Sequence, residues 1–382
     1  MNTAALPSLG HSREACRWLP ALFIPLLLGA GPFLAEATGT EWALAVPLLF
    51  AYGLLPLADR LLGEDRSNPQ PLPSFDPLLA ALPVLVAASG FAILLSATWY
   101  ASTRVETTLG FLALALSTGL VGGLAINAAH ELGHARSPGL RRLAFFALVP
   151  WAYSHFPIEH NRGHHRAVAT PEDSASARLG ESLYRFILRE WPGAWRRAHR
   201  LERERLRAMG RSPHSLANGV LAGLVSTLSL WLALALLFGA KALLFLILAA
   251  AFAHFQLSSA NYVEHYGLKR RRLPDGGVEP VGLAHSWNSA AWLSNAVLLN
   301  LQRHADHHLR AAEPFHRLRD EPQAPRLPAG YFEMFLIAYL PPLWFRIMDR
   351  RAYEAMGGER ERLNLDPKRG EDALRALARR LR

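Results

Sequence analysis

Histidine residues are the side chains of this sequence whose spacing points most clearly to chemistry. Nine of the 16 histidines fall into four short motifs beside long apolar stretches: His130 and His134; His160, His164 and His165; His265; and His304, His307 and His308. Imidazole is the commonest metal ligand among side chains. Because one zinc ion takes about four ligands, nine histidines exceed what a single ion can use. The motifs therefore predict a site that holds more than one metal ion.

The spacing within three of the motifs suits binding from a helix. Residues four apart lie on one face of an α-helix, one turn above the other. Three pairs of histidines have this spacing: His130 and His134, His160 and His164, and His304 and His308. Each pair is expected to hold a metal ion from a stiff backbone.

The identity of the metal stays open at this point. The run His130-Glu-Leu-Gly-His134 alone matches the zinc-protease motif, in which two histidines bind the ion and the glutamate is the general base. A protease would need one more ligand and would leave six histidines without a role. Di-iron carboxylate bundles need a Glu-x-x-His pattern on each of two facing helices, and the motifs contain it only once, at Glu131 and His134. Nitrogen ligands suit iron, copper or zinc, so the residues indicate two metals held mostly by imidazole.

Long apolar segments must position these histidines. The chain has 382 residues, 51% of them hydrophobic, and the apolar blocks lie near 18–35, 42–58, 77–100, 107–129, 216–238 and 242–263. Most blocks are close in length to the roughly 20 residues that a helix needs to span a bilayer, although the second block is short. We therefore predict an all-α polytopic membrane protein with six transmembrane helices, forming one domain over 1–382.

Positive charge is distributed unevenly between the two sides of the predicted spans. Of the 41 Lys and Arg residues, 15 lie in 129–215 and 20 in 264–382. Only Arg104 and Lys241 fall in the loops on the other side. Because cytoplasmic loops carry an excess of Lys and Arg, both termini and all four motifs are predicted to be cytoplasmic. The histidines would then lie in a cytoplasmic cap formed by 129–215 and 264–350, with a tail at 351–382.

The net charge of +10 does not require a nucleic-acid partner. Topology and the anionic headgroups of membrane lipids explain it, so lipids are expected as neighbours and nucleic acid is not.

Residues 13–37 imitate a signal peptide but are expected to remain in the protein uncleaved, because a second span follows almost at once. Residues 181–211 are expected to form a solvated or headgroup-lying helix, and 329–348 an amphipathic segment on the membrane. The single cysteine, Cys16, cannot form an intramolecular disulfide.

The motifs also resemble a known family. The histidine spacing is similar to that of the integral-membrane fatty acid desaturase and hydroxylase superfamily, and the longer runs resemble the membrane alkane 1-monooxygenases. The runs that carry the resemblance are 59–65, 127–134, 159–181, 261–268, 285–289, 301–308 and 341–349. One departure is Ala135, which stands where the family usually has lysine. No cysteine-rich rubredoxin domain is fused within this chain.

The resemblance implies that all nine motif histidines are ligands of two non-haem iron ions. It also directs attention to the groups that hydrogen-bond to such rings, since ligating histidines normally donate their second N–H to a carboxylate or carbonyl. The candidates for this role are Glu131, Glu159, Asp173, Glu264, Asp306 and His285. His155 is expected to be a structural hydrogen-bonding residue. The remaining histidines receive no function: His11, His199, His214, His254 and His316.

The resemblance further implies the reaction and its partners. The family hydroxylates the terminal methyl of medium- to long-chain n-alkanes to 1-alkanols, using O2 and electrons from rubredoxin, which rubredoxin reductase supplies. The expected location is the bacterial inner membrane, where the n-alkane dissolves in the bilayer. The basic run Lys269–Arg272 could dock the acidic carrier or could simply be a positive cytoplasmic flank.

Other functions remain open at the level of the sequence. Within the superfamily, the chain could hydroxylate aryl methyl groups or desaturate acyl chains. A membrane zinc protease and a metal transporter are more distant alternatives. One position, Ala51 in the second span, is a candidate for the substrate channel, although small residues in spans usually mark close helix packing.

Overall fold

The computed structural model describes residues 16–68 and 77–381. Across these residues the backbone is helical, and strand pairing is limited to isolated bridges. We number the helices α1 to α15. They are α1 Pro20–Leu28, α2 Gly31–Thr38, α3 Glu41–Leu62, α4 Pro77–Thr103, α5 Thr108–His134, α6 Pro138–Leu148, α7 Phe156–Glu159, α8 Leu183–Ala208, α9 Gly219–Phe238, α10 Ala240–His265, α11 Trp292–Val297, α12 His304–Leu309, α13 Tyr331–Ala338, α14 Pro341–Ala355 and α15 Gly370–Leu381.

Five helices of the described residues are long and apolar enough to cross a membrane, namely α3, α4, α5, α9 and α10. A sixth span forms if α1 and α2 count together, since they are joined by a bend of 46°. The expected all-α membrane fold is confirmed. The first span differs from the single helix expected at 18–35, because proline interrupts the hydrogen-bond ladder at Pro25 and Pro32 follows the break.

Helix α5 is the centre of the bundle. In its apolar window 72% of the residues are buried, whereas only 22% are buried in α9, whose outer face presents Leu228, Leu232 and Leu236 to the lipid. Glycine makes the close contact between α5 and α10 possible. A Cβ added at Gly119 would lie 2.7 Å from the Cβ of Phe252, and one at Gly123 would lie 2.8 Å from the Cβ of Gln256. Small residues of this kind allow backbones of membrane helices to approach closely.

Helices α5 and α10 carry motif histidines to one end of the bundle. Helix α5 ends at His134 and α10 ends at His265. Because both helices begin at the opposite end and pack side by side, their last turns meet at the same level. The fold thus places two of the four histidine motifs together at the edge of the apolar bundle.

Helix α8 packs one face into the cap and leaves the other face exposed. It was expected to be a solvated or headgroup-lying helix, but one face buries Glu190, Arg197 and Glu202. Charged side chains are almost never fully buried unless they are paired, and these three have partners from other segments. Helix α8 therefore supports the interior of the cap.

The segment after α12 is also more buried than the sequence suggested. Tyr331 and Trp344 in α13 and α14 are fully buried, although 329–348 was expected to lie on the membrane surface. The tail is held to the cap by backbone hydrogen bonds: Asn364 N–H donates to Gly267 O at 3.0 Å, and Leu179 N–H donates to Asn364 O at 2.7 Å. The tail is thus an integral part of the cap.

Candidate metal centre

The nine motif histidines converge into two groups. The first contains His130, His134, His160, His165 and His307, and the second contains His164, His265, His304 and His308. Within each group, one ligand nitrogen of every ring lies within 4.8 Å of the others. The two groups draw on residues up to 177 positions apart, so the convergence is a property of the tertiary fold.

Nitrogen–nitrogen distances in the first group match those of ligands around one ion. The Nε2 atom of His160 lies 2.9 Å from that of His130 and 3.0 Å from that of His165. The Nε2 atoms of His130 and His134 are 3.2 Å apart. Two nitrogens that bind an ion at about 2.1 Å each lie roughly 3 Å apart, so these rings can share one metal.

The second group has the same spacing. The Nε2 atom of His304 lies 3.2 Å from that of His265 and 3.0 Å from that of His308. His164 completes the group, with ring centroids 4.9 Å from His265 and 5.0 Å from His308. Four nitrogen ligands suffice for a second ion.

The two groups lie side by side. The rings of His165 and His308, which belong to different groups, have centroids 4.5 Å apart. The ring centroids of His304 and His307, which also belong to different groups, are 5.6 Å apart. This contact between the groups places two metal positions next to each other.

His160 and His164 in the second motif were expected to face the same metal ion, but they lie in different groups. One turn of π-helix spans His160–His164, in which the backbone hydrogen bonds join residues five apart. His160 therefore shares a group with His165, and His164 faces the other group. The expectation of a shared metal for His160 and His164 is wrong, because the extra residue per turn rotates His164 away.

The chemistry of the donor set fits metal ions. Burial, followed by the neighbouring imidazoles, lowers the pKa of His160, His165, His304, His307 and His308 well below the usual value, so these rings are neutral near pH 7. Among the described residues, the buried ring nitrogens without a hydrogen-bond partner include His164 Nε2 and His307 Nε2, one in each group. An unpaired buried polar atom is costly, and a metal ion in each group would satisfy one of them. The protein is therefore a metal-binding protein.

A buried ion-pair network orients His164. Its Nδ1 lies 2.9 Å from Asp173 Oδ2, and the side chains of both are almost fully buried. Arg197 donates to Asp173 Oδ1 at 2.6 Å and, through Nε, to Glu159 Oε1 at 2.7 Å. Although burial alone would raise it, His164 and Arg197 hold the pKa of Asp173 well below its usual range. The ionised carboxylate fixes the ring so that Nε2 faces the metal position.

His265 is oriented by a backbone carbonyl and has an acidic neighbour. Its Nδ1 lies 3.1 Å from His285 O, while the His285 ring contacts Glu279 at 3.1 Å. Glu264 Oε2 approaches His304 Nε2 at 3.4 Å, and Tyr331 donates its hydroxyl to Glu264 Oε1 at 3.2 Å. Glu264 therefore lies beside the metal-facing nitrogen of a ligand rather than behind the ring.

The other three candidate acids contact groups outside the histidine rings. Glu131 accepts a hydrogen bond from Phe315 N–H at 2.9 Å, and Glu159 pairs with Arg197 as described. Asp306 pairs with Arg310 and accepts a hydrogen bond from Arg319 N–H at 2.8 Å. These acids hold the loops and helices around the centre.

An apolar cavity approaches the metal centre from the membrane side. Ala51, Leu124, Asn127, Ala260 and Leu301 are among its lining residues. Asn127 lies one helical turn before His130 and donates its amide to Leu298 O at 2.8 Å. Asn127 also lines a small space next to His130 and His307, so the inner end of the cavity lies close to the first histidine group.

Comparisons with known proteins identify the family. A model of the fatty acid desaturase family matches residues 107–336, more than half of the chain. Alkane 1-monooxygenase 1 from Alcanivorax borkumensis is 44% identical over 360 residues, which cover 93% of this chain and 89% of the relative. An alkane 1-monooxygenase from Ectopseudomonas oleovorans is 42% identical over 363 residues, 94% of this chain and 90% of its own. The chain belongs to the alkane 1-monooxygenase family.

A more distant similarity bears on one alternative. The hydroxylase component of a xylene/toluene monooxygenase from Pseudomonas putida is 30% identical over 238 residues, 61% of this chain and 63% of its own. The similarity to the alkane 1-monooxygenase family is higher and extends over nearly the whole chain. The protein is accordingly a membrane oxidoreductase of the desaturase and hydroxylase type.

Two supporting residues of this alkane 1-monooxygenase family member could not be found from the sequence. Arg197 is one of many arginines in α8, and spacing alone does not distinguish it. Arg303 is fully buried beside His304 and donates to Leu318 O at 2.7 Å and Ser67 O at 2.9 Å. Only its position next to a ligand histidine hints at this role.

Proposed function

We propose that this protein is an alkane 1-monooxygenase that converts the terminal methyl of medium- to long-chain n-alkanes to 1-alkanols with O2. The observation that supports this best is the apolar cavity, whose lining residue Asn127 also borders a small space beside His130 and His307. An n-alkane offers no group for hydrogen bonding, so only a narrow apolar cavity can orient it. A reacting methyl at the inner end would lie beside the metals.

We propose that the two histidine groups hold two non-haem irons, one bound by five histidines and one by four. When bound, such a pair supplies the oxygen activation that cleavage of an unactivated C–H bond requires. The residues of the chain provide the surroundings. Asp173 and the carbonyl of His285 fix two ligand rings, and the cavity walls exclude water from the reacting end.

Ala51 is proposed to line the substrate channel. It is 5% exposed and forms part of the cavity wall together with Tyr52 and Leu55. The small side chain of Ala51 leaves space in the cavity, and a larger side chain at this position would fill that space.

The chain is a multi-pass membrane protein, and we propose the bacterial inner membrane with the metal end in the cytoplasm. The excess of Lys and Arg at that end supports this orientation. The n-alkane would enter from the bilayer. The N-terminal residues 1–15, expected to be cytoplasmic, lie outside the described residues.

We propose reduced rubredoxin as the electron donor, with rubredoxin reductase upstream. The run Lys269–Arg272 is a weaker docking candidate than its sequence suggests, because Arg271 pairs with Glu359 and Arg272 with Glu172. Arg136, which lies 3.5 Å from Glu313, and Arg166 are exposed and adjoin the partly exposed His134 and His165. Docking there would bring an acidic carrier closer to the metal ligands.

Two measurements on the purified protein test the proposal. Elemental analysis should find two irons per chain, and incubation with reduced rubredoxin, n-octane and ¹⁸O2 should give labelled 1-octanol. One zinc without iron, together with peptide cleavage, would point to a protease instead. Faster turnover of toluene or xylene than of every n-alkane would favour an aryl-methyl hydroxylase, the function suggested by the more distant relative.

A further inference from the structure

A polar bridge interrupts the apolar wall of the cavity. Gln256 in α10 is 8% exposed, and its Nε2 lies 2.9 Å from the hydroxyl of Tyr52 and 3.4 Å from that of Tyr339. The three side chains come from α3, α10 and the end of α13. We call Tyr52, Gln256 and Tyr339 the polar bridge.

The polar bridge lies at a defined distance from the metal centre. Helices α10 and α13 run in opposite directions, since Tyr331 contacts Glu264 while Tyr339 contacts Gln256. Eight residues separate the two contacts on each helix, which corresponds to about 12 Å of helix rise. Because Glu264 adjoins the ligand His265, the polar bridge is roughly this far from the histidines along the cavity.

Local structure holds the polar bridge in the cavity wall. Tyr52 lies in a π-helical turn, Phe50–Leu54, which lets the consecutive residues Ala51 and Tyr52 both line the cavity. Gly123 of α5 has no side chain where Gln256 passes, and an added Cβ would lie 2.8 Å from the Gln256 Cβ. Tyr339 is anchored by Tyr184, whose hydroxyl donates to Tyr339 O at 2.8 Å.

We propose that the polar bridge is a chemical stop that sets the longest n-alkane bound productively. This inference rests on the proposed alkane hydroxylation. An alkyl chain that extends past the bridge must separate Gln256 from the two hydroxyls and can offer no hydrogen bond in return. A buried polar group left unpaired carries its full desolvation penalty. A chain with a hydroxyl at its far end can replace the lost hydrogen bond and avoids that penalty.

The test uses Gln256→Leu, which keeps the approximate size and removes both hydrogen bonds. The enzyme is given an equimolar mixture of n-alkanes of increasing length, and relative kcat/KM values are read from the alkanols formed. Alkanes just longer than the wild-type limit should gain about tenfold, the factor that corresponds to about 1.4 kcal/mol. Tyr100→Phe, at the outer end of α4 and outside the cavity lining, is the matched control and should leave the profile unchanged.

A second substrate separates a chemical stop from a steric one. In the wild type, a 1-alkanol as long as a rejected alkane should be hydroxylated at its methyl end, and Gln256→Leu should remove this advantage. An equal gain for alkane and alkanol in the variant would show a steric stop and overturn the proposal.

The remaining outcomes are also informative. If Gln256→Leu does not accumulate as folded protein with wild-type iron content, Tyr52→Phe and Tyr339→Phe are used instead. Each removes one of the two hydrogen bonds to Gln256 and should shift the profile in the same direction. Unchanged profiles in both would overturn the proposal. Absence of alkanol from every alkane in the wild type would instead refute the proposed function.

Discussion

Replacement of Arg197 by methionine should show how much the buried ion pairs contribute to the free energy of unfolding and to metal binding. Arg197 is the shared partner of Asp173 and Glu159, whose side chains are 0% and 4% exposed. Removing one partner of a buried pair costs about 3–5 kcal/mol, because the remaining charge stays buried without compensation. Asp173 also orients His164, so the second histidine group should lose iron in the same variant.

The measurements are the midpoint of thermal unfolding in detergent and the iron content per chain. Arg200→Met is the matched control on the same helix, since its side chain is 68% exposed and lies 4.0 Å from the exposed Glu204. Such exposed pairs contribute about 0–1 kcal/mol, so the control should keep its iron and nearly all its stability. Arg197→Lys should be intermediate, because lysine keeps the charge but lacks the planar fork that reaches both acids.

Wild-type iron content in Arg197→Met, together with the unfolding midpoint of Arg200→Met, would refute both roles of Arg197. Loss of stability with full iron content would separate the two roles. It would show that Asp173 holds His164 without help from Arg197.

Four further predictions concern other parts of the molecule. Ala51→Trp should fill part of the cavity and shift turnover toward shorter alkanes at unchanged iron content; an unchanged chain-length profile would assign Ala51 to helix packing. His265→Ala should lose iron and hydroxylation, whereas His199→Ala, outside both histidine groups, should be nearly silent in both assays. Truncation after Met356 removes the tail that is hydrogen-bonded to the cap and should lower the thermal midpoint; an unaltered midpoint would make the tail dispensable. Burial, with a smaller contribution from nearby imidazoles, lowers the pKa of His155 to about 3. Below pH 6.5 the unfolded chain therefore binds a proton that the folded chain does not, so the free energy of unfolding falls by about 1.4 kcal/mol between pH 7.5 and 5.5. His155→Gln should remove this contribution, so its thermal midpoint should fall less between the two pH values, and an equal fall in the variant would contradict the prediction.

The sequence by itself determined the class of protein and identified the histidines that are candidate metal ligands. Apolar blocks of about 20 residues are restricted to helices in a bilayer, because each backbone N–H and C=O must find its hydrogen-bond partner within the same helix. Motif spacing is also local information: His130 and His134 are fixed to one helix face by the helix period alone. These features could be read without knowing which segments are neighbours.

Only the tertiary structure divided the histidines into groups of five and four. The π-helical turn at His160–His164 adds a residue to the period and sends His164 to the opposite group, which the standard helix spacing does not anticipate. Arg197, Gln256 and Tyr339 acquired their roles in the same way. Each gains its partners from segments distant in the chain, and contacts of that kind depend on how helices pack rather than on residue spacing.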